Sequence, residues 1–426
     1  MTKIKIETYG CSANQADSES MAYLLKKANY ELTDSENFDL IILNTCTVKT
    51  PTENKILRRI KNLRKENKKI IVAGCIPQAE PDYIKSKFKD LSILGVFDIS
   101  DVVECVEKTL SGKRAVILSS SSKKKIGLVR IRKNPIIEII PISEGCLGNC
   151  AYCKTKQARK NLFSFPISEI VHQAKQAIKT GAKEIWITSQ DTGCYGFDQG
   201  HTLPELLSEL VNLSGDFKIR VGMMNPNHVL KILHDLIKIY KHPKIFKFLH
   251  IPVQSGADDI LKSMIRNYSV QDFKYIVREF QKHIPNLTIS TDIIVGFPGE
   301  SKKTFNQTLN LINWLKPDVL NISRYWERPG TLSASMDKKL HTRDTKELSR
   351  KLLPIFNKLA LEKNQKLIGK SFNVLVDELG KPGTYISRNN FYKPIVIKSE
   401  KNLFGKSLNV EITSVTSQYS IAKIQE

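Results

Sequence analysis

The segment Cys146-Leu-Gly-Asn-Cys150-Ala-Tyr-Cys153 puts three thiols within eight positions, at spacings of four and three. A tetrahedral zinc site is closed by four ligands, usually supplied as two pairs. A 4Fe–4S cubane also has four irons to hold. This loop offers only three thiols, and no further cysteine follows until Cys194. Three thiolates on a cubane leave one iron open. An open iron can bind a substrate as well as pass electrons. The competing reading is a zinc knuckle or three ordinary cytosolic thiols, but zinc knuckles rarely use this triple spacing.

A second set of thiols is spread more widely. Cys11 follows an apolar run at Ile4–Tyr9, Cys46 follows Leu40–Leu43, and Cys75 follows Ile70–Ala73. Each run reads as a strand. Helical spacing lies between them: Asp17–Ala28 with Met21, Leu24 and Leu25 on one face, then Thr52–Arg64 with Ile56, Ile60 and Leu63. A weaker strand-and-helix pair ends at Asp101–Leu110. The alternation predicts an open parallel sheet covered by helices over residues 1–112. The carboxyl ends of such strands share one edge, where ligands bind. Cysteines tens of residues apart would meet there, and three converging thiols again suit a cubane with one open iron. Free cysteine is also a common core residue, yet position past three successive strand ends argues against that reading. Cys105 lies inside a helical pattern and reads as packing.

Ser119-Ser-Ser-Ser122 and Lys123-Lys-Lys125 break the pattern and read as a solvated linker, or as a loop inside one domain. A second alternating series occupies residues 132–362. Its strand candidates are Ile136–Ile142, Glu184–Thr188, Phe217–Gly222, Phe248–Val253, Thr288–Val295 and Val319–Ser323. Helical segments such as Ile167–Thr180, Leu203–Leu213 and Val270–His283 lie between them. Six strands with crossover helices predict a partial TIM-like barrel, with functional groups at the carboxyl ends. Cys146, Gln190-Asp191, Asn225, Gln254 with Ser255, and Gly296 all fall there. From Lys366 to Glu426 the runs turn short and β-rich: Phe372–Val376, Ile395–Ile397, Leu408–Thr413 and Ile421–Ile424. A small OB-like β-barrel fits, a class that often binds nucleic acid. The fold class is α/β with a small all-β tail.

The 426 residues suggest about three domains. No run reaches the ~18 apolar residues of a membrane span, and Met1–Thr8 has no signal-peptide character. No membrane partner is expected. Eight cysteines without a signal point to a reducing cytoplasm. A net charge of +23 makes a polyanion the expected partner, nucleic acid first. A lysine-rich proteome or an anionic membrane surface would also produce such a charge.

Along nearly its whole length the chain resembles the radical S-adenosylmethionine methylthiotransferases. The Cys146 loop resembles the cluster motif of the radical S-adenosylmethionine enzymes. Gly10-Cys11-Ser-Ala-Asn14 with Asp17-Ser-Glu19, Asn44-Thr-Cys46-Thr47 and Ala73-Gly-Cys75-Ile-Pro77 resemble that family's N-terminal domain, and the tail resembles its TRAM domain. Four stretches are similar to the archaeal and eukaryotic branch: Arg132–Ile140, Gly145–Lys156, Arg220–Pro226 and Thr291–Glu300. Two departures stand out. Many relatives have His-Ala-Arg-Gly at Gln157-Ala-Arg-Lys160, and many have Glu at Gln190.

The resemblance implies methylthiolation of C2 of N6-threonylcarbamoyladenosine at position 37, beside the tRNA anticodon. It implies two 4Fe–4S clusters and two uses of S-adenosylmethionine, as radical source and as methyl donor. Cys146, Cys150 and Cys153 would hold the radical cluster, and Cys11, Cys46 and Cys75 the auxiliary one. Tyr152, Gln190, Asp191 and Arg266 are the expected S-adenosylmethionine contacts. Tyr152 reads equally as a packing aromatic and Arg266 as a surface charge. His250 reads as a core histidine, and nothing demands that Cys194 bind metal. The expected partners are the tRNA anticodon loop, a sulfur donor, and an electron donor such as ferredoxin or flavodoxin. Lys55, Arg58, Arg59, Lys61, Arg64 and Lys65 could meet phosphates, or form a solvated face. The alternatives are isopentenyladenosine in tRNA or an aspartate of a ribosomal protein as substrate, or a non-catalytic, metal-stabilised RNA-binding protein.

Overall fold

The computed structural model describes residues 1–48, 50–120 and 125–425. In the first unit, β1 (Lys3–Thr8), α1 (Ser12–Lys27), β2 (Glu31–Leu32), β3 (Leu40–Thr45), α2 (Thr50–Lys65) and β4 (Lys69–Gly74) come first. Then follow α3 (Cys75–Ala79), α4 (Pro81–Lys87), β5 (Ser92–Gly95), α5 (Val102–Leu110) and β6 (Val116–Ile117). The strands form one parallel sheet in the order β2-β1-β3-β4-β5-β6. Helices cover both faces, so β3 is buried at every position and reads as an unbroken apolar run rather than an alternation. Cys105 is fully buried in α5 and packs with Leu94 and Val102.

The middle unit starts with β7 (Ile137–Pro141), β8 (Ser143–Glu144), α6 (Thr155–Arg159), β9 (Phe163–Ser164), α7 (Ile167–Lys179) and β10 (Glu184–Thr188). It continues through α8 (Leu203–Val211), β11 (Lys218–Val221), α9 (Pro226–Tyr240), β12 (Phe248–His250), α10 (Asp258–Ser263) and α11 (Val270–His283). It closes with β13 (Thr288–Val295), α12 (Lys302–Leu315), β14 (Val319–Arg324) and α13 (Thr342–Gln365). The parallel triplets β11-β10-β7 and β12-β13-β14 join through a single bridge, Ile219 to Ile245, into an open barrel. Ile185, Ile187, Ile219, Val221 and Leu249 face the helices. By alternation, Glu184, Trp186, Arg220 and Phe248 face the inside. β12 stops at His250, short of the expected Val253, because Pro252 has no N–H for a ladder.

The tail is a closed five-stranded barrel: β15 (Ser371–Leu379), β16 (Thr384–Asn389), β17 (Pro394–Lys398), β18 (Ser407–Val415) and β19 (Ser420–Ile424). Short elements such as β2, β6, β8 and β9 escape the sequence pattern, and so do two longer ones. α13 is strongly polar and carries Pro354 inside it, where proline removes a helical hydrogen bond. Its buried face, Leu352, Phe356, Ala360 and Asn364, still recurs every four residues. β16 is polar enough to look like a loop, yet buries Ser387 and Asn389. Of the serine–lysine run, Ser121, Ser122, Lys123 and Lys124 lie outside the described residues. Lys125, at its end, is buried in an ion-pair network and so is not solvated linker. Among the described residues no helix is long and apolar enough to cross a membrane.

The tail docks into the open barrel from below. Tyr392 inserts beside Phe248 and Trp186, with ring centroids 5.1 and 6.4 Å away. The Arg220 guanidinium lies 5.1, 5.4 and 5.3 Å from the Trp186, Phe248 and Tyr392 rings. Glu184 sits in the same floor, pushed up to about 7 by burial and by nearby Asp377. Lys183, Lys218 and Lys247, just before or at strand starts, bond Gly405, Asn390 and neighbouring carbonyls. A desolvated cation on several rings stabilises by about 2 kcal/mol or more. Arg220→Ala should therefore destabilise the protein by about 2–4 kcal/mol in chemical denaturation, with the tail becoming the first segment cut in limited proteolysis. Arg220→Lys should recover less than half of the loss, because an ammonium cannot lie flat against three rings.

Candidate functional site

The Cys146–Cys153 loop rises from the carboxyl end of β7 and is pinched at its base by the β8–β9 ribbon, where Ser143 pairs Ser164 and Glu144 pairs Phe163. Gly145 begins the loop at φ +72°, and a Cβ there would lie 1.9 Å from the Asn161 carbonyl oxygen. Only glycine fits. Gln190 accepts from the Gly145 N–H at 2.7 Å, so it anchors the loop. Inside, Gly148 N–H donates to Cys146 Sγ at 3.1 Å. A Cβ on Gly148 would lie 3.4 and 3.7 Å from the Cys146 and Cys150 sulfurs. The glycine keeps open the hollow that those two thiols line. Cys153 is close enough to both for their charges to raise its pKa, which burial chiefly pushes up to about 11.

The ends of the next strands surround this loop. Asp191 is buried and accepts from the Gly193 and Asn225 N–H groups, both at 3.0 Å, and from His228 Nδ1 at 2.6 Å. Its carboxylate thereby holds the ends of β10 and β11 together, and it also accepts from the Cys146 thiol at 3.9 Å. Arg266 is 8% exposed, so it is not a surface charge. It donates to Cys150 Sγ at 3.2 Å, to the Pro252 carbonyl at 3.1 Å, and to Tyr268. Tyr152 packs edge-on against Phe297 at 6.3 Å. The Asn225 Oδ1 is buried without a partner, while its Nδ2 lies toward Gly148. Gln254, after β12, holds φ +70°, a strained conformation typical of functional sites. His250 bonds Asp292 at 3.2 Å but is half-buried, so it is not a core histidine. Cys194 is brought within 4.8 Å of Cys146 and Asp191; its thiol donates to the Asp191 carbonyl at 3.3 Å, and its closeness to Cys146 holds the latter below the ordinary thiol range.

The second thiol set gathers at the carboxyl edge of the first sheet. β1, β3 and β4 are neighbours, and Thr45 pairs with Gly74, so Cys46 and Cys75 leave adjacent strands side by side. Asn14, one turn into α1, lies under them. Its Nδ2 donates to Asn44 Oδ1 and the Thr45 carbonyl, which turns Oδ1 toward Cys11 Sγ at 3.4 Å and Cys75 Sγ at 3.8 Å. A Cβ on Gly10, which has φ +118°, would lie 3.0 Å from Cys46 Sγ. Burial pushes Cys46 up to about 12, with Cys75 adding to the rise. Each set is a glycine-lined hollow with three sulfur donors and a buried cation beside it: Arg266 at one, Arg159 at the other. That donor set fits an iron–sulfur cluster with one open position.

Cations of the middle unit reach across to the segments that carry these thiols. Arg159 bonds Glu144, Asp17 and Asn14. Lys154 pairs with Glu80, after α3, at 2.5 Å. Arg328 bonds Thr47, Thr50 and Glu53, beyond Cys46, at 2.6–2.9 Å. His228, Asn14, Glu144, Arg159, Lys154 and Arg328 are absent from the sequence expectation. Asn14, Lys154 and Arg159 lay inside the motifs noted there, without a role assigned to them. Of the basic α2 residues, Arg59 is occupied by Glu7 and Glu36 and Arg64 by Asp90. Arg58, Lys61 and Lys65 remain in an exposed cleft with Lys87.

Three comparisons bear on these sites. Residues 3–95 match the uncharacterized protein family UPF0004, residues 140–312 the radical SAM superfamily, and residues 365–424 the TRAM domain. A protein of Pyrococcus abyssi described as a probable threonylcarbamoyladenosine tRNA methylthiotransferase is 45% identical, over 100% of each chain. The Homo sapiens threonylcarbamoyladenosine tRNA methylthiotransferase is 42% identical, over 96% of this chain and 72% of its own length. Among solved structures, the radical S-adenosylmethionine methyltransferase TsrM from Kitasatospora setae superposes with a TM-score of 0.57 at 13% identity. That match covers 78% of this chain and 77% of the other, and it establishes likeness of fold. Gly145→Ala tests whether the two hollows are independent. The clash with Asn161 should displace the Cys146 loop and leave the first sheet untouched, so iron content after anaerobic reconstitution should fall from about eight atoms per chain to about four.

Proposed function

The chain belongs to the threonylcarbamoyladenosine tRNA methylthiotransferase family, and we propose on that premise how its six converging cysteines divide the work. The enzyme methylthiolates C2 of N6-threonylcarbamoyladenosine at position 37 of tRNA, by radical S-adenosylmethionine chemistry. Its cofactors are two 4Fe–4S clusters and S-adenosylmethionine. We assign the radical cluster to Cys146, Cys150 and Cys153, and the auxiliary cluster to Cys11, Cys46 and Cys75. The observation that supports this division is the presence of two separate three-thiol hollows, one on each of two units joined by a polar interface. Residues 1–112, 132–362 and 366–426 serve as the auxiliary-cluster, radical and RNA-binding domains.

The C2–H bond is unactivated, and side-chain acids and bases cannot break it, so the hard chemistry belongs to the cofactors. When bound, the clusters supply the electron that splits S-adenosylmethionine and the open iron that holds sulfur. Two S-adenosylmethionine molecules would be consumed: one as methyl donor to sulfide-level sulfur, with S-adenosylhomocysteine as product, and one as radical source, with methionine and 5'-deoxyadenosine bearing the C2 hydrogen as products. Forming the C–S bond returns one electron. A ferredoxin or flavodoxin suits the first electron, and a sulfide-producing partner suits the sulfur. The enzyme's own residues position the reactants. Arg266 holds Cys150. The unpartnered Asn225 Oδ1 is free to accept from the amino group of S-adenosylmethionine. Gln190 and Asp191 act behind the loop, through Gly145 and His228. The target base must leave the anticodon stack to reach the hollow. A cytoplasmic setting supplies both the tRNA and the reducing conditions.

Paired triple variants test the division of labour. With Cys11, Cys46 and Cys75 all changed to Ala, 5'-deoxyadenosine should still form under strong reductant, and no methylthiolated nucleoside should be detected by mass spectrometry. With Cys146, Cys150 and Cys153 changed to Ala, both products should be lost. Methylthiolated tRNA from the first variant at wild-type level would defeat the assignment, because free sulfide is too dilute to replace positioned sulfur.

A further inference from the structure

Arg159 is a buried cation that touches both halves of the site. It ends α6, just past Cys153, and is 1% exposed. Nη1 donates to the two Glu144 oxygens at 3.1 and 2.9 Å. Glu144 lies two residues before Cys146. Nη2 donates to Asp17 Oδ2 at 2.9 Å and to Asn14 Oδ1 at 3.4 Å. That same Asn14 oxygen is the one that faces Cys11 and Cys75. Lys125 closes the group, at 3.0 Å from Asp17 and 2.9 Å from Glu144. Two cations and two carboxylates make the cluster formally neutral. Within it, the guanidinium is the charge that reaches the Asn14 oxygen facing Cys11 and Cys75.

Resting on the reading above, we propose that Arg159 is a positioning residue of the sulfur-carrying site. Its charge raises the reduction potential of the cluster held by Cys11, Cys46 and Cys75, and its fork ties that site to the Cys146 loop. The physical basis is simple. Reduction adds one negative charge, and a cation within a few ångströms of it in a dry interior favours the reduced form. Outer-shell charges and hydrogen bonds tune clusters in this way. Asp17 opposes the effect, because it neutralises part of the guanidinium from the other side. Removing either residue should therefore move the potential, and in opposite directions. A purely structural pair would give no such sign.

The experiment uses the full chain carrying Cys146→Ala, Cys150→Ala and Cys153→Ala, so that one cluster is seen alone. Its midpoint potential is read by EPR-monitored redox titration. In this parent, Arg159→Met should lower the reduced-to-oxidised ratio at fixed potential at least tenfold, which is 59 mV for one electron. Arg159→Lys should stay within threefold of the parent. Asp17→Asn should raise the ratio. Should Arg159→Met fail to hold four irons, the opposite signs expected of Asp17→Asn and of Arg159→Gln, each normalised to its iron content, decide the matter. Unchanged potentials in iron-replete Arg159→Met or Asp17→Asn would overturn the role of Arg159. A parent chain that binds no four-iron cluster would overturn the cysteine assignment beneath it, and with it this proposal.

Discussion

Four charges taken out of water, on Asp17, Lys125, Glu144 and Arg159, hold the two halves of this molecule at one separation. Burying an ion costs several kcal/mol, and mutual attraction repays it only where geometry is good and hydrogen bonds are complete. Burial alone would raise the Glu144 carboxyl, yet Arg159 and Lys125 together hold it below the ordinary carboxylate range. Such a network adds little net stability compared with apolar packing. It does penalise every arrangement in which one partner is missing. A slide of the first sheet against the radical barrel would strand Asp17 or Arg159 without a counter-charge. The interface thus has one low-energy register. Chemistry that must move a sulfur between fixed points requires that kind of constraint.

The surrounding contacts obey the same logic. Apolar contact between the two units is modest, with Ala16 against Ile136, Ile137 and Ile139, and Cys75 and Val96 against Ala158. Polar reach supplies the rest. Arg159 acts near Cys11 and Cys75, Lys154 near the helix that Cys75 begins, and Arg328 beyond Cys46. Each auxiliary cysteine therefore has a cation of the radical unit close to its own segment. Three points define a plane, so tilt as well as distance is specified.

The legible parts of the site were those written in local spacing or in strand order. The Cys146 loop is a contiguous signal. Cys11, Cys46 and Cys75 could be placed because each follows a strand, and parallel strands end on one edge. The partners that orient them could not be read. Asn14 and Asn44 stood inside the resembling motifs, but their work beneath the thiols appears only when β1, β3 and α1 pack, and His228 has meaning only once α9 brings it to Asp191. Arg266 looked as much like a surface charge as a ligand, since burial is not visible in a single arginine. In the tail, β17, β18 and β19 were apparent from their apolar runs. β16 was not, because its strand is held by backbone pairing and buried polar side chains.

The insertion of Tyr392 among Trp186, Arg220 and Phe248 gives the tail a second duty. An open barrel of six strands has a mouth at each end, and this ring stoppers the lower one. Water admitted from below would meet reactive species on the axis of the barrel, so the stopper is part of the shielding. Cutting the tail away would remove the module to which we assign RNA binding and unseal the reaction chamber in one stroke. Loss of product from a truncated enzyme then speaks of leakage as much as of weakened affinity, and only changes on the outer face of the tail barrel can tell them apart.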